Sequence, residues 1–125
     1  MSLETRVSIA EAEQLVKEAF LRNGVEEAVA ESVSNALVAA EAEGQVGHGF
    51  SRVKDYLAQV KSKKINVDAK IKIESPKPTS ISIDADYGFA YPALDQAISK
   101  GALTAKEYGS AIVSILNSHH CGALS

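Results

Sequence analysis

Two short clusters in the 125-residue chain hold residue types that move protons and grip carboxylates. The first is Gly47-His48-Gly49-Phe50-Ser51-Arg52, followed by Tyr56. His48, Arg52 and Tyr56 are spaced by four, so a helix beginning at or near His48 would carry all three on one face. Histidine titrates near neutral pH and can exchange a proton with a carbonyl or hydroxyl oxygen. Arginine can hold a carboxylate through two parallel hydrogen bonds, and tyrosine can add a third. An acid/base beside a carboxylate clamp is what 2-oxo and 2-hydroxy acid chemistry requires. The same residues also suit a structural reading, with His48 capping a helix start, Arg52 paired to a surface acid and Tyr56 in the core. Gly44, Gly47 and Gly49 precede a helix without following a strand, so they do not make a dinucleotide-binding fingerprint.

The second cluster is Ser118-His119-His120-Cys121-Gly122, at the end of an apolar run. Backbone amides in such a loop can bind phosphate. His120 could act as a second acid/base, or the segment could be a polar loop with one buried histidine. Adjacent residues rarely point at one metal ion and no second pair matches them, which argues against zinc on His119, His120 and Cys121. Nothing near Cys121 supports a reactive thiolate.

The elements that must position these clusters follow from periodicity. Residues 8–22 read as an amphipathic helix opened by a Ser8/Glu11 capping box and closed by Asn23-Gly24. A second helix runs from Glu26 to Glu43, with Val29, Val33, Ala36, Leu37 and Ala40 as its apolar stripe, and a third from Phe50 to Lys61. The period then changes to two. Residues 70–74 and 80–84 alternate polar and apolar like half-buried strands, with Pro76 and Pro78 marking an antiparallel connection. Residues 84–88 read as a turn. A helix from Pro92 to Tyr108 and a buried strand over Ser110–Leu116 complete the order. The fold class is therefore α/β: a helical N-terminal subdomain over residues 1–64, then the first part of a mixed-sheet domain over 65–125. A chain ending beside a strand-end loop, where α/β proteins usually bind ligands, is expected to be truncated.

Composition narrows the function classes. Hydrophobic residues make up 46% and charged residues 23%, as in an ordinary globular protein. The net charge is -3 and Lys61-Ser62-Lys63-Lys64 is the only basic cluster, best read as a solvated helix end, so a nucleic-acid partner is not expected. No apolar run is long enough to span a bilayer, so no membrane partner is expected. A single cysteine and the lack of a signal-like apolar core point to the cytoplasm.

The stretch Glu43-Gly44-Gln45-Val46-Gly47-His48-Gly49 with Arg52 resembles the Ser-His-Gly signature region of type-2 malate/L-lactate dehydrogenases. The turn Ile83-Asp84-Ala85-Asp86-Tyr87-Gly88-Phe89, the strand Gly109-Ser110-Ala111-Ile112-Val113 and the loop Asn117-Ser118-His119-His120-Cys121-Gly122-Ala123 resemble the segments that follow in that family. The resemblance implies a non-Rossmann fold, an NAD or NADP cofactor, a homodimer, and hydride transfer to or from the second carbon of a small carboxylate of the malate or lactate type. It implies that His48 handles the proton on the substrate oxygen, that Arg52 binds the carboxylate, and that Tyr56 lines the pocket. It gives His120 the place of a catalytic base in some members, and makes His120, Cys121, Gly122, Ala123 and Leu124 a cofactor-contacting stretch. Here Gly47 stands where the family usually has a serine, which in some members is part of a proton relay to the histidine. Family chains are well over twice this long, so the chain alone is expected to be inactive. Reduction of a cyclic imine carboxylate or sugar acid by the same site is the nearest rival. A non-catalytic helical module and a metal-dependent hydrolase are more distant ones.

Overall fold

A computed structural model describes residues 4–123 of the chain. Helices α1 (Ile9–Leu21) and α2 (Glu27–Ala42) are followed by a 3-10 turn (Val46–His48) and α3 (Ser51–Lys61). Strands β1 (Lys72–Lys77) and β2 (Ser80–Asp84) come next, then α4 (Ala90–Tyr108) and β3 (Ile112–Leu116). The capping box is present: Ser8 N–H donates to Glu11 Oε2 at 2.7 Å, and Ser8 Oγ accepts from the Glu11 amide at 3.1 Å. It satisfies two donors that the first turn leaves free.

The sheet order is β1-β2-β3, with β1 antiparallel and β3 parallel to β2. The parallel pair needs a crossover, and α4 supplies it. The first strand lies further along than its alternation suggests, and Pro76 falls inside it. That is tolerated because β1 is an edge, and its register breaks between Glu74 and Lys77. β3 differs more. The sequence reads as a buried strand, yet Ile112 is 73% exposed and Leu116 43% exposed. Only Val113 and Ile115 turn inward, toward Ile81, Ile83, Ala85, Ala93 and Ala97. An apolar run does not say which faces have something to pack against, and here one face does.

The larger core lies among the helices, where Phe20, Val33 and Leu37 are fully buried. Tyr56 enters it from α3, and Phe89 and Tyr91 enter it from the start of α4. These three aromatics bring the two halves together beneath the loop that follows β3. Among the described residues, no helix is long and apolar enough to cross a membrane.

Candidate active site

His48 ends the 3-10 turn, its amide donating to the Gln45 carbonyl at 2.8 Å. It is not on α3. Gly49 intervenes with φ -102° and ψ -129°, outside helical geometry, so the expectation of one helix face carrying His48, Arg52 and Tyr56 is corrected: α3 starts at Ser51 and carries only the last two. The turn is tied down instead by hydrogen bonds. Ser51 Oγ donates to the Val46 carbonyl and Arg52 Nε to the Gly47 carbonyl, each at 2.7 Å. Glu41 Oε2 accepts the Phe50 amide at 2.9 Å, placing a carboxylate at a helix start that has no capping side chain of its own. A Cβ on Gly49 would collide with Glu41, so only glycine lets the loop pass α2 this closely.

Arg52 thus uses Nε to hold the His48 turn. Its Nη1 lies 3.7 Å from Asp55 Oδ2 in a partly exposed pair, which is a weak competitor for a bound carboxylate. Tyr56 is 2% exposed, and its hydroxyl is 3.3 Å from His120 Nδ1 and 3.4 Å from Tyr91 Oη. Burial, and then the neighbouring Tyr91 hydroxyl, push the Tyr56 phenol well above its ordinary pKa. Tyr56 therefore stays neutral and works as a hydrogen-bonding anchor.

The loop after β3 supplies the remaining groups. His119 donates its amide to the Gly88 carbonyl at 3.1 Å, and its Nε2 pairs with Gln59 Oε1 on α3. Its pKa is lowered, first by burial, then by the neighbouring His120 and Lys64 charges. The His120 ring faces the His48 ring, with centroids 6.5 Å apart and planes 25° apart. Cys121 packs on the helical core. Gly122 lies against His48, where a Cβ would stand 2.9 Å from the ring's Nδ1. Ala123 lines a separate groove with Tyr91 and Asp95, and Leu124 lies outside the described residues.

Arg52, Tyr56, His119 and His120 line one open cleft of about 600 Å³, and His48 is not among its lining residues. It stands beside that group, its ring centroid 6.5 Å from that of His120. The Nδ1 atoms of His48 and His119 are buried without a hydrogen-bond partner. Among the described residues, no three His, Cys, Asp or Glu side chains gather as they would to hold a metal ion. Glu41, Gln59 and Tyr91 complete the site without having been singled out by spacing. The uncapped start of α3 was the one available signal, and it pointed to a distant acceptor such as Glu41.

Residues 7–125 match the malate/L-lactate dehydrogenase family. The chain is 38% identical over 116 residues to a (2R)-3-sulfolactate dehydrogenase (NADP(+)) of Chromohalobacter salexigens, covering 93% of this chain and 34% of that protein. It is 32% identical over 123 residues to a Δ1-pyrroline-2-carboxylate/Δ1-piperideine-2-carboxylate reductase of Pseudomonas putida, covering 98% and 36%. The solved structure of Δ1-piperideine-2-carboxylate reductase from Pseudomonas syringae pv. tomato superposes with a TM-score of 0.92 at 30% identity, over 96% of this chain and 36% of that one. The chain thus spans about a third of the length of these relatives. With the match running from before α1 through the histidine loop, and the same fold in a solved relative, the chain belongs to the malate/L-lactate dehydrogenase family.

Proposed function

We propose that the whole protein transfers a hydride between NAD or NADP and the second carbon of a small 2-hydroxy/2-oxo carboxylate. The observation that supports this reading is the placing of Arg52 and His120 on one cleft, with the His48 ring 6.5 Å behind the His120 ring, centroid to centroid. In this reading Arg52 holds the substrate carboxylate, displacing its loose contact with Asp55. His48 gives or takes the proton on the substrate oxygen. Tyr56 fixes His120 through Nδ1, so that His120 serves as a base or as a contact to the cofactor. Among the described residues, the bare α-carbon of Gly122 fits one wall of a nicotinamide site, because it lets the loop lie directly on His48. His120, Cys121 and Gly122 would form that wall, and the cofactor would supply or accept the hydride. The proposal extends to a cytoplasmic homodimer acting on a malate- or lactate-type acid.

A second reading, reduction of a cyclic imine carboxylate at the same site, is favoured by the likeness to the two imine carboxylate reductases. The test is a panel of malate-, lactate- and sulfolactate-type 2-oxo acids beside five- and six-membered cyclic imine carboxylates, each with NADH and NADPH. Turnover of a 2-oxo acid supports the first reading, and turnover of imines alone selects the second. No turnover of any substrate overturns both.

A further inference from the structure

Tyr91 is the second residue of α4, yet its side chain is buried in the core of the helical half, only 5% exposed. A phenol placed there needs partners for its oxygen. Tyr91 Oη accepts the Gly122 amide at 3.0 Å and stands 3.4 Å from Tyr56 Oη, which in turn reaches His120 Nδ1 at 3.3 Å. One hydroxyl thus touches the strand-end loop directly at Gly122 and, through Tyr56, at His120. At Gly122 the loop is pressed on His48 so closely that a Cβ would meet that ring at 2.9 Å. Phenylalanine would fill the same apolar space, so filling does not account for the hydroxyl.

We propose that Tyr91 is a positioning residue whose hydroxyl clamps Gly122 onto His48 and thereby orders the wall that receives the nicotinamide cofactor. The second half of this statement rests on the functional reading above. Tyr91 touches no reacting atom and acts through Gly122 and His120.

The test is Tyr91→Phe in the whole protein, which keeps the ring and removes only the hydroxyl. Amide exchange at residues 121–123 is expected to rise about tenfold, because the part-buried Gly122 N–H loses its acceptor, while exchange within α2 stays unchanged. Fluorescence titration with NADH and NADPH is expected to show affinity weakened about fivefold to tenfold, with the KM for the carboxylate within about twofold of wild type. Unchanged exchange at 121–123 overturns the clamp. Raised exchange with unchanged cofactor affinity overturns its role in ordering the wall. A general rise in exchange, α2 included, also overturns the proposal, since Tyr91 would then be a packing residue. If the wild type binds neither cofactor, the functional reading fails along with the cofactor half of the proposal, and exchange alone decides the clamp.

Discussion

In the helical half, α1 and α2 bury Phe20, Ala30, Val33 and Leu37 completely, whereas in the sheet half Ile112 on β3 is 73% exposed and Leu103 on α4 is 70% exposed. The helices close on one another through Ala12, Val16 and Phe20 of α1 and Val33 and Leu37 of α2, while Ile9 and Leu15 of α1 stay exposed. The three strands and α4 enclose a small second cluster of Ile81, Ile83, Ala85, Ala93 and Ala97. The difference shows which half sets the geometry of the site. The His48 turn is tied to α2 by Glu41 and to α3 by Ser51 and Arg52. The histidine loop comes from the sheet half but is seated on helical residues: His119 on Gln59, His120 on Tyr56, and Cys121 on the helical core. The more fully packed half acts as the template, and the loop of the other half is laid on it.

If that comparison holds, chemistry and packing can be separated at the seam. The largest expected effect is on turnover. His48→Ala in the whole protein is predicted to lower kcat by about a hundredfold to ten-thousandfold, because under the proposed function the proton step loses its donor. The melting temperature should change little, since His48 is half-buried and its Nδ1 makes no hydrogen bond within the described chain. A kcat near that of wild type would remove His48 from the mechanism.

Phe89 tests the template itself. It belongs to the loop before α4, yet it is 3% exposed in the helical core, 5.6 Å from the Phe20 ring, 5.9 Å from Tyr56 and 6.2 Å from His119. Phe89→Ala is predicted to cost about 3–5 kcal/mol, from lost transfer energy and the cavity left behind. Urea unfolding would measure it. A cost under about 1 kcal/mol, the size of an ordinary surface change, would mean that the helical half does not hold the seam.

A smaller effect is expected at Arg52. Its Nε holds the Gly47 carbonyl, and lysine has neither that donor nor a planar fork. Arg52→Lys should raise the KM for the carboxylate about tenfold, the scale of one lost charge-assisted hydrogen bond, with a lesser fall in kcat as the His48 turn loosens. An unchanged KM would place the carboxylate elsewhere.

Local signals in the sequence read out well. The Ser8/Glu11 capping box, the helical stripe of α2 and the alternation of Ser80–Asp84 each depend on residues within a few positions. What was not legible depends on distance. No periodicity encodes the Gly49 backbone that takes His48 off the α3 face. The partners Glu41–Phe50, Gln59–His119 and Tyr91–Gly122 are separated by 9, 60 and 31 residues, and only the fold brings them together. The exposure of β3 escaped for a related reason: Ile112, Val113, Ile115 and Leu116 are apolar on both faces of the strand, so the sequence cannot say which face is covered.

The smallest effect is a dependence of stability on pH. His119 is held in the loop with its Nδ1 buried and unpartnered, and its pKa is lowered chiefly by that burial. The folded state therefore favours the neutral ring, while the unfolded chain takes up a proton at about pH 6.5. Below that value the unfolded state binds more protons, so stability falls with pH until the folded-state pKa is passed, and is level beyond it. Asp84 acts in a separate window. Its carboxylate accepts from the Asp86 amide and Asn117 Nδ2, which lowers its pKa, so its contribution is lost only under more acid conditions. His119→Gln cannot titrate, and should flatten the fall in urea midpoint between about pH 7 and pH 5 relative to wild type. The flattening should be slight, because part of the ring faces the open cleft. Parallel curves for the two proteins would show that the helical template tolerates a charged imidazole at the seam, and would leave the burial of His119 without energetic consequence.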